Sequence, residues 1–310
     1  MSTFKVILNP KSGRGRGAKL ASKLAESLSE KGLNFEIQQT EYPWHAAKIA
    51  YDAIIEGVDY VIAAGGDGTA NEVINGFVQA RQNGFAGSAM GVISVGQGND
   101  FAFSMGIPTD WQAGCRLLTN CETRKVDIGK VTGGLYPEGR FFGNAVGIGF
   151  DAVVGFEAAK LKPLRGFSAY IVAALRTMML YYNAPLLRIE LDDKVIEQPC
   201  LMVSIMNGYR LGGGFFMTPN SKPDDGKLDI CLVGSVKRAE MLGLIEKFTR
   251  GTQGSHPSVS FACSSRIKVT AIDEGTIPAH TDGETLCTKE KEILVELTQY
   301  QLDLIYAKPE

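Results

Sequence analysis

The stretch Tyr60-Val61-Ile62-Ala63-Ala64-Gly65-Gly66-Asp67-Gly68-Thr69-Ala70-Asn71-Glu72 decides how the rest of the chain is read. Tyr60–Ala64 is a short apolar run of the kind buried in a parallel sheet. Glycines follow at once, and then a helical spacing that predicts a helix over Thr69–Gln79. Such a junction sets main-chain N–H groups beside the positive end of a helix dipole, which suits an anion. Asp67 would repel phosphate unless a cation stands between them, so the pattern points to a phosphate site with Mg²⁺. The bland alternative is a strand–helix turn capped by Asp or Thr. Three glycines around an acid in an apolar setting disfavour it.

The same alternation extends on both sides. Phe4–Leu8 reads as a buried strand ending at Asn9-Pro10. A helix over Ala18–Lys31 carries Leu20, Leu24, Ala25 and Leu28 on one face and closes at Gly32. Phe35–Gln39 and Met90–Val95 read as strands and His45–Glu56 as a helix. The order βαβαβαβ implies a parallel sheet with helices on both faces. Two further strand–helix junctions are rich in glycine: Asn9–Gly17 and Ser94–Ala102. The first holds Gly13-x-Gly15-x-x-Ala18, which is close to a dinucleotide fingerprint. Its two arginines suit free phosphates better, and a flexible basic turn is a serious competitor. All three junctions fall at strand carboxyl ends, the edge where open α/β sheets bind ligands.

Beyond Lys125 the texture changes to short alternating runs: Lys125–Val131, Phe141–Gly147, Leu186–Leu191, Pro199–Met206, Lys227–Val233, Arg266–Ala271, Ile293–Glu296 and Leu302–Ile305. Turn pairs such as Asp225-Gly226 and Asp282-Gly283 separate them, and helices are expected at Phe167–Tyr182 and Arg238–Phe248. This predicts a mostly antiparallel β domain. The expected division is 1–125 for the α/β domain and 126–297 for the β domain, with 298–310 a candidate to return to the first.

Composition sets the outer limits. The 310 residues are 45% hydrophobic and 21% charged, as in a soluble globular protein. A net charge of −2 argues against a large nucleic-acid footprint, so no nucleic-acid partner is expected. The six cysteines form no Cys-x-x-Cys and read as idle thiols of a cytoplasmic protein. The N-terminus has no secretory pattern. The apolar stretch Gly166–Leu187 carries Arg176, which argues for a core or interfacial helix rather than a membrane span. His45 and His256 read as surface residues and His280 as structural.

Together these residues support a resemblance. Asn9-Pro10-x-Ser12-Gly13, the run Gly65–Gly76 and Gly96-x-Gly98-Asn99-Asp100-Phe101 resemble the diacylglycerol kinase catalytic-domain family, more narrowly its bacterial soluble lipid kinases of the DgkB/YegS/BmrU type. Asp127-Ile128-Gly129, Asn144-x-x-Gly147-x-Gly149-x-Asp151, Asn207-Gly208, Gly212–Phe215, Asp225-Gly226 and Asp282-Gly283-Glu284 continue it in order. The resemblance implies an N-terminal nucleotide-binding α/β domain, a C-terminal β-sandwich for the lipid and a cleft between them. It implies ATP on Asn9, Ser12, Thr40, Gly65, Gly66, Asp67, Gly68, Thr69, Asn71, Glu72 and Gln97. It implies Glu284 as general base with Asp282 beside it, and a Mg²⁺ network on Asp67, Asp100 and Asp127. A structural Mg²⁺ would sit on Asp225 and the carbonyls of Lys222 and Lys227. The expected activity is transfer of the ATP γ-phosphate to a membrane lipid, diacylglycerol by default.

One departure stands in the third loop, where Ser94 replaces the family's proline and Gln97 its hydroxyl residue. The competing readings are an NAD kinase-like enzyme and a nucleotide-binding regulator with weak catalysis. Basic clusters at Lys11, Arg14, Arg16, Lys19 and Lys23 and at Lys160, Lys162 and Arg165 admit peripheral contact with the inner face of the membrane. Solvated faces explain each cluster equally well. A homodimer is one option.

Overall fold

The chain, seen in a computed structural model, is described over residues 2–161, 164, 166–180, 182–272 and 274–308. It divides into two compact units, Met1–Ile128 with Gln299–Glu310, and Gly129–Thr298. The first unit runs β1 (Thr3–Leu8), α1 (Ser12–Glu30), β2 (Asn34–Gln39), α2 (His45–Ile55), β3 (Tyr60–Gly65), α3 (Asp67–Gln82), β4 (Ala89–Ser94), α4 (Asp100–Ser104) and α5 (Trp111–Leu117). β1 pairs in parallel with β2 and β3, and β3 with β4, giving the order β2-β1-β3-β4. Val6, Leu8, Ile62, Ala64 and Ile93 bury one face against Leu24 and Leu28 of α1 and Cys115 of α5. Ile7, Val61 and Ala63 are buried on the other. There α2 and α3 pack closely enough that a Cβ on Gly76 would come within 2.9 Å of the Ala50 methyl. With helices on both faces, the central strands β3 and β4 read as near-continuous apolar runs, while the edge strand β2 is mostly polar and partly exposed.

α1 was expected to begin at Ala18. Its first turn holds Gly13, Arg14 and Gly15 at φ of 58°, 58° and 87°, so regular helix starts only after that loop. α4 and α5 are too short to show a period in sequence.

The second unit is reached through β5 (Thr123–Gly133). It continues with β6 (Tyr136–Phe142), β7 (Ala145–Gly149), α6 (Phe150–Lys160), α7 (Gly166–Leu180), β8 (Leu186–Glu190), β9 (Val195–Met206), β10 (Arg210–Leu211), β11 (Phe215–Phe216), β12 (Leu228–Gly234), α8 (Arg238–Arg250), β13 (Val259–Ser264), β14 (Arg266–Ala271), β15 (Ile277–Thr281), β16 (Glu284–Glu290) and β17 (Glu292–Ile305). One antiparallel layer has the order β13-β12-β9-β7-β15-β16. The other holds β8, β14 and the first half of β17. β9 serves both: Val195–Pro199 pair with β8, while its second half lies between β7 and β12.

Alternation explains the layering. Leu228, Ile230 and Leu232 of β12 face the core shared with Ile189, Ile267 and Val295. Cys231 and Val233 point the other way, onto Met178 of α7 and Met241, Leu244 and Phe248 of α8. The α/β-plus-β reading therefore holds, with two corrections. Phe141–Gly147 is not one strand but the end of β6, a break at Gly143-Asn144, and β7. The two runs Ile293–Glu296 and Leu302–Ile305 are one strand, whose Leu304 lies parallel beside Met90 of β4 in the first unit.

Candidate functional site

In the first unit the three glycine-rich junctions meet. The N–H groups of Val95 and Gly96 donate to the Gly65 carbonyl at 2.8 and 3.1 Å. A Cβ on Gly96 would fall 2.6 Å from the Gly66 Cα, so these loops touch backbone to backbone and Gly96 admits no side chain without a backbone shift. Ser12 Oγ lies 3.5 Å from where a Cβ on Gly66 would stand. Asn9 Nδ2 donates to Thr69 Oγ1 at 3.0 Å, and its main-chain N–H to the Ala64 carbonyl. Thr40 N–H donates to the Leu8 carbonyl, which sets the end of β2 beside Asn9. Asn9, Ser12, Thr40, the Gly65–Thr69 run and the loop carrying exposed Gln97 thus share one sheet edge.

The acids divide by task. Asp67 Oδ1 accepts the Phe101 N–H at 2.9 Å in the first turn of α4. Asp67 Oδ2 and Asp100 Oδ2 lie 3.1 and 3.3 Å from the position a Cβ on Gly98 would take, so both carboxylates border a space that this glycine keeps open. Asp127 is buried and accepts Gln301 Nε2 at 2.8 Å. Among the described residues no three His, Cys, Asp or Glu side chains gather around a metal position. Mg²⁺ commonly takes one or two carboxylates and fills its shell with phosphate oxygens and waters, so the Asp67–Asp100 pair fits it. Glu72 Oε2 accepts the Ala46 N–H at 3.1 Å and so caps α2, while Asn75 Nδ2 donates to the Asn71 carbonyl at 2.8 Å. The Glu72 bond ties α3 to the start of α2, a contact the sequence pattern did not reveal.

In the second unit, Asp282 and Gly283 join β15 to β16 with φ of 45° and 84°. Positive φ at both central residues marks the tight hairpin turn that Asp-Gly favours. The Asp282 carboxylate is 5% exposed. It accepts three main-chain N–H groups, from Gly143 at 3.0 Å, Asn144 at 3.1 Å and Ala145 at 2.9 Å. Those bonds break the β6–β7 run and commit Asp282 to anchoring its turn. The Glu284 side chain is exposed and makes no hydrogen bond or ion pair among the described residues. Behind the turn, buried His280 Nε2 lies 3.5 Å from Asp151 Oδ1, and Ser204 Oγ donates to Asp151 Oδ2 at 3.1 Å. His280, read from sequence as structural, thus has the Asp151 carboxylate as its partner.

Lys222, Asp225 and Lys227 are exposed, and Asp225 Oδ1 accepts the Lys227 N–H at 3.1 Å across Gly226. No helix among the described residues is long and apolar enough to cross a membrane. Lys160 is paired with Glu157 at 2.6 Å, while Lys162 and Arg165 lie outside the described residues.

Comparison with known proteins agrees with this fold. The diacylglycerol kinase catalytic domain matches residues 3–131, and the YegS C-terminal NAD kinase beta sandwich-like domain matches residues 144–300. A diacylglycerol kinase of Staphylococcus saprophyticus is 28% identical over 281 residues, covering 90% of this chain and 88% of that one. One from Bacillus subtilis (strain 168) is 28% identical over 286 residues, covering 92% and 90%. The crystal structure of a candidate diacylglycerol kinase from Bacillus anthracis str. Sterne superposes with a TM-score of 0.78 at 25% identity, over 99% of this chain and 95% of that one.

Proposed function

The chain belongs to the diacylglycerol kinase family of phosphotransferases with an alcohol acceptor, and from that membership we propose that it moves the γ-phosphoryl group of ATP to a primary hydroxyl of a membrane lipid, diacylglycerol by default. The observation that carries the reading is the backbone contact of Gly66 with Gly96 beside Asp67 at the strand carboxyl ends. It leaves room for phosphates against main-chain N–H groups and a helix N-terminus. Asp67 and Asp100 would hold Mg²⁺, which supplies charge neutralisation for the phosphates when bound. A second Mg²⁺ on Asp225 with the carbonyls of Lys222 and Lys227 would stiffen an exposed turn.

In the transfer, the lipid oxygen bonds to the γ-phosphorus as the bond to the β–γ bridging oxygen breaks, and ADP leaves. The hydroxyl proton goes to the Glu284 carboxylate, the acid that the Asp282 anchor leaves unengaged. A carboxylate within hydrogen-bond reach serves that step, worth about 10²–10⁴ in rate. The protein would act as a peripheral enzyme on the cytoplasmic face of the membrane.

The test is incubation of the purified protein with γ-labelled ATP and a total lipid extract, with diacylglycerol micelles and NAD as separate arms. Label in an organic-soluble phosphomonoester supports the reading. Label on NAD alone, or nucleotide binding without transfer to any acceptor, overturns it.

A further inference from the structure

The loop after β2 breaks a local rule. The Tyr42 carbonyl accepts the His45 N–H at 3.2 Å, closing a four-residue turn with Pro43 second and Trp44 third. Trp44 has φ 69° and ψ 2°. That is the third position of a type II turn, which takes positive φ and is normally Gly or Asn. A bulky aromatic residue there is an outlier, and such outliers concentrate at ligand sites. Burial does not compensate for it, since Trp44 is 38% and Tyr42 51% exposed.

The turn is nonetheless firmly built. Tyr42 stacks on His45 with ring centroids 4.3 Å apart and planes within 6°. His45 Nδ1 accepts the Glu41 N–H at 3.1 Å. The turn is also tied to the glycine-loop edge at two points. Thr40 bonds to Leu8, next to Asn9. Glu72, three residues after Thr69 on α3, caps α2 at Ala46, two residues after Trp44. These two bonds fix the aromatic turn to the same sheet edge as the phosphate loop.

We propose that Trp44 is the base-binding residue: a nucleotide whose phosphates lie at the glycine loops stacks its base on the exposed indole, with Tyr42 alongside. This rests on the nucleotide reading above and adds where the base goes. Stacking uses a π-face that every base has, so the contact favours nucleotides over bare phosphates without choosing strongly among bases.

The experiment titrates ATP, GTP and inorganic tripolyphosphate, each with Mg²⁺, into the full chain and its Trp44→Gly and Trp44→Phe variants. Trp44→Gly should weaken both nucleotides about fivefold or more and leave tripolyphosphate unchanged. Trp44→Phe should stay near wild type. Glycine is the residue this turn prefers, so the melting temperature of Trp44→Gly should not fall, which separates lost stacking from lost fold. The chain has two tryptophans, so in a Trp111→Phe background ATP should quench the remaining fluorescence and tripolyphosphate should not. Equal weakening of ATP and tripolyphosphate, or no weakening of either, overturns the proposal while nucleotide binding stands. A wild-type protein that binds none of the three overturns the nucleotide reading and this inference with it.

Discussion

At the carboxyl ends of β3 and β4 the site is made by side chains that are missing, whereas at the β15–β16 turn it is made by a side chain that is spent. Gly66 and Gly96 bring two backbones into contact with no side chain between them. Asp282 does the reverse, turning three N–H groups inward onto its own carboxylate. At Gly96 the first arrangement tolerates no added atom; the second tolerates no lost charge. The difference separates residues whose replacement should stop the reaction from residues whose replacement should loosen the fold.

The largest effect is expected at Glu284. Glu284→Gln keeps shape and hydrogen bonding but removes the proton acceptor, so turnover on diacylglycerol should fall about 10²–10⁴-fold. Thermal stability and ATP affinity should hold, because the side chain is exposed and unpaired. Near wild-type turnover would remove Glu284 from the chemistry. Gly96→Ala comes next. Its Cβ would stand 2.6 Å from the Gly66 Cα, so a backbone must move. A displacement near 1 Å costs on the order of 10² in rate. Steady-state kinetics should show ATP KM and kcat damaged together; unchanged kinetics would mean that the loops do not hold phosphate.

The anchor should behave differently. Asp282→Asn replaces an acceptor oxygen with a donor group and leaves buried N–H groups short of partners, at a cost of roughly 2–3 kcal/mol. Chemical denaturation should show that loss. If Asp282→Asn instead folds like wild type and is inactive, Asp282 belongs to the reaction and the contrast between the two turns collapses.

A smaller effect distinguishes the second unit by pH. Burial, with the Asp151 charge adding to it, pushes the Cys231 thiol up to about 12, and burial pushes Cys287 to about 11. In the unfolded chain both thiols ionise near 9. The folded state therefore holds the proton more tightly between these values, and stability that is complete below pH 9 declines as pH rises toward 11 and 12. Each thiol contributes up to about 1.4 kcal/mol per pH unit in that window. Cys231→Ala should flatten the fall measured by denaturation at pH 9 to 11; an unchanged slope would show that the thiol is not held in its neutral form.

How much of this was legible in sequence follows from range. The first unit reads well because each strand and helix carries its own period and each junction its own glycines. α6 did not read: Phe150, Val153, Val154, Phe156 and Ala158 place apolar groups around the whole helix, so neither period stands out. β15 and β16 lack a β-branched run, and their hairpin joins the sheet through β7, far earlier in the chain. The work of Asp282 was invisible because its partners lie 137 to 139 residues earlier. Glu72 reads as a residue of the phosphate loop because its motif is contiguous with it; that it also caps a helix 26 residues back could not be read locally.

The smallest expected effect concerns Gln97, one of the two residues by which the third loop departs from the pattern it resembles. Gln97 is exposed at the tip of the loop that Gly96 locks against Gly66. The carboxamide can donate a hydrogen bond to phosphate, but it is longer than a Thr hydroxyl and loses more rotamer freedom when it does. The backbone of the loop is fixed by the glycine contact, so the exchange touches only that last bond. Gln97→Thr should lower the ATP KM a few-fold and leave kcat unchanged, the pattern of a contact made equally in ground and transition states. The opposite outcome is as informative. A raised KM would make Gln97 a working ligand, and would move one part of this backbone-built site onto a side chain, as at the Asp282 turn.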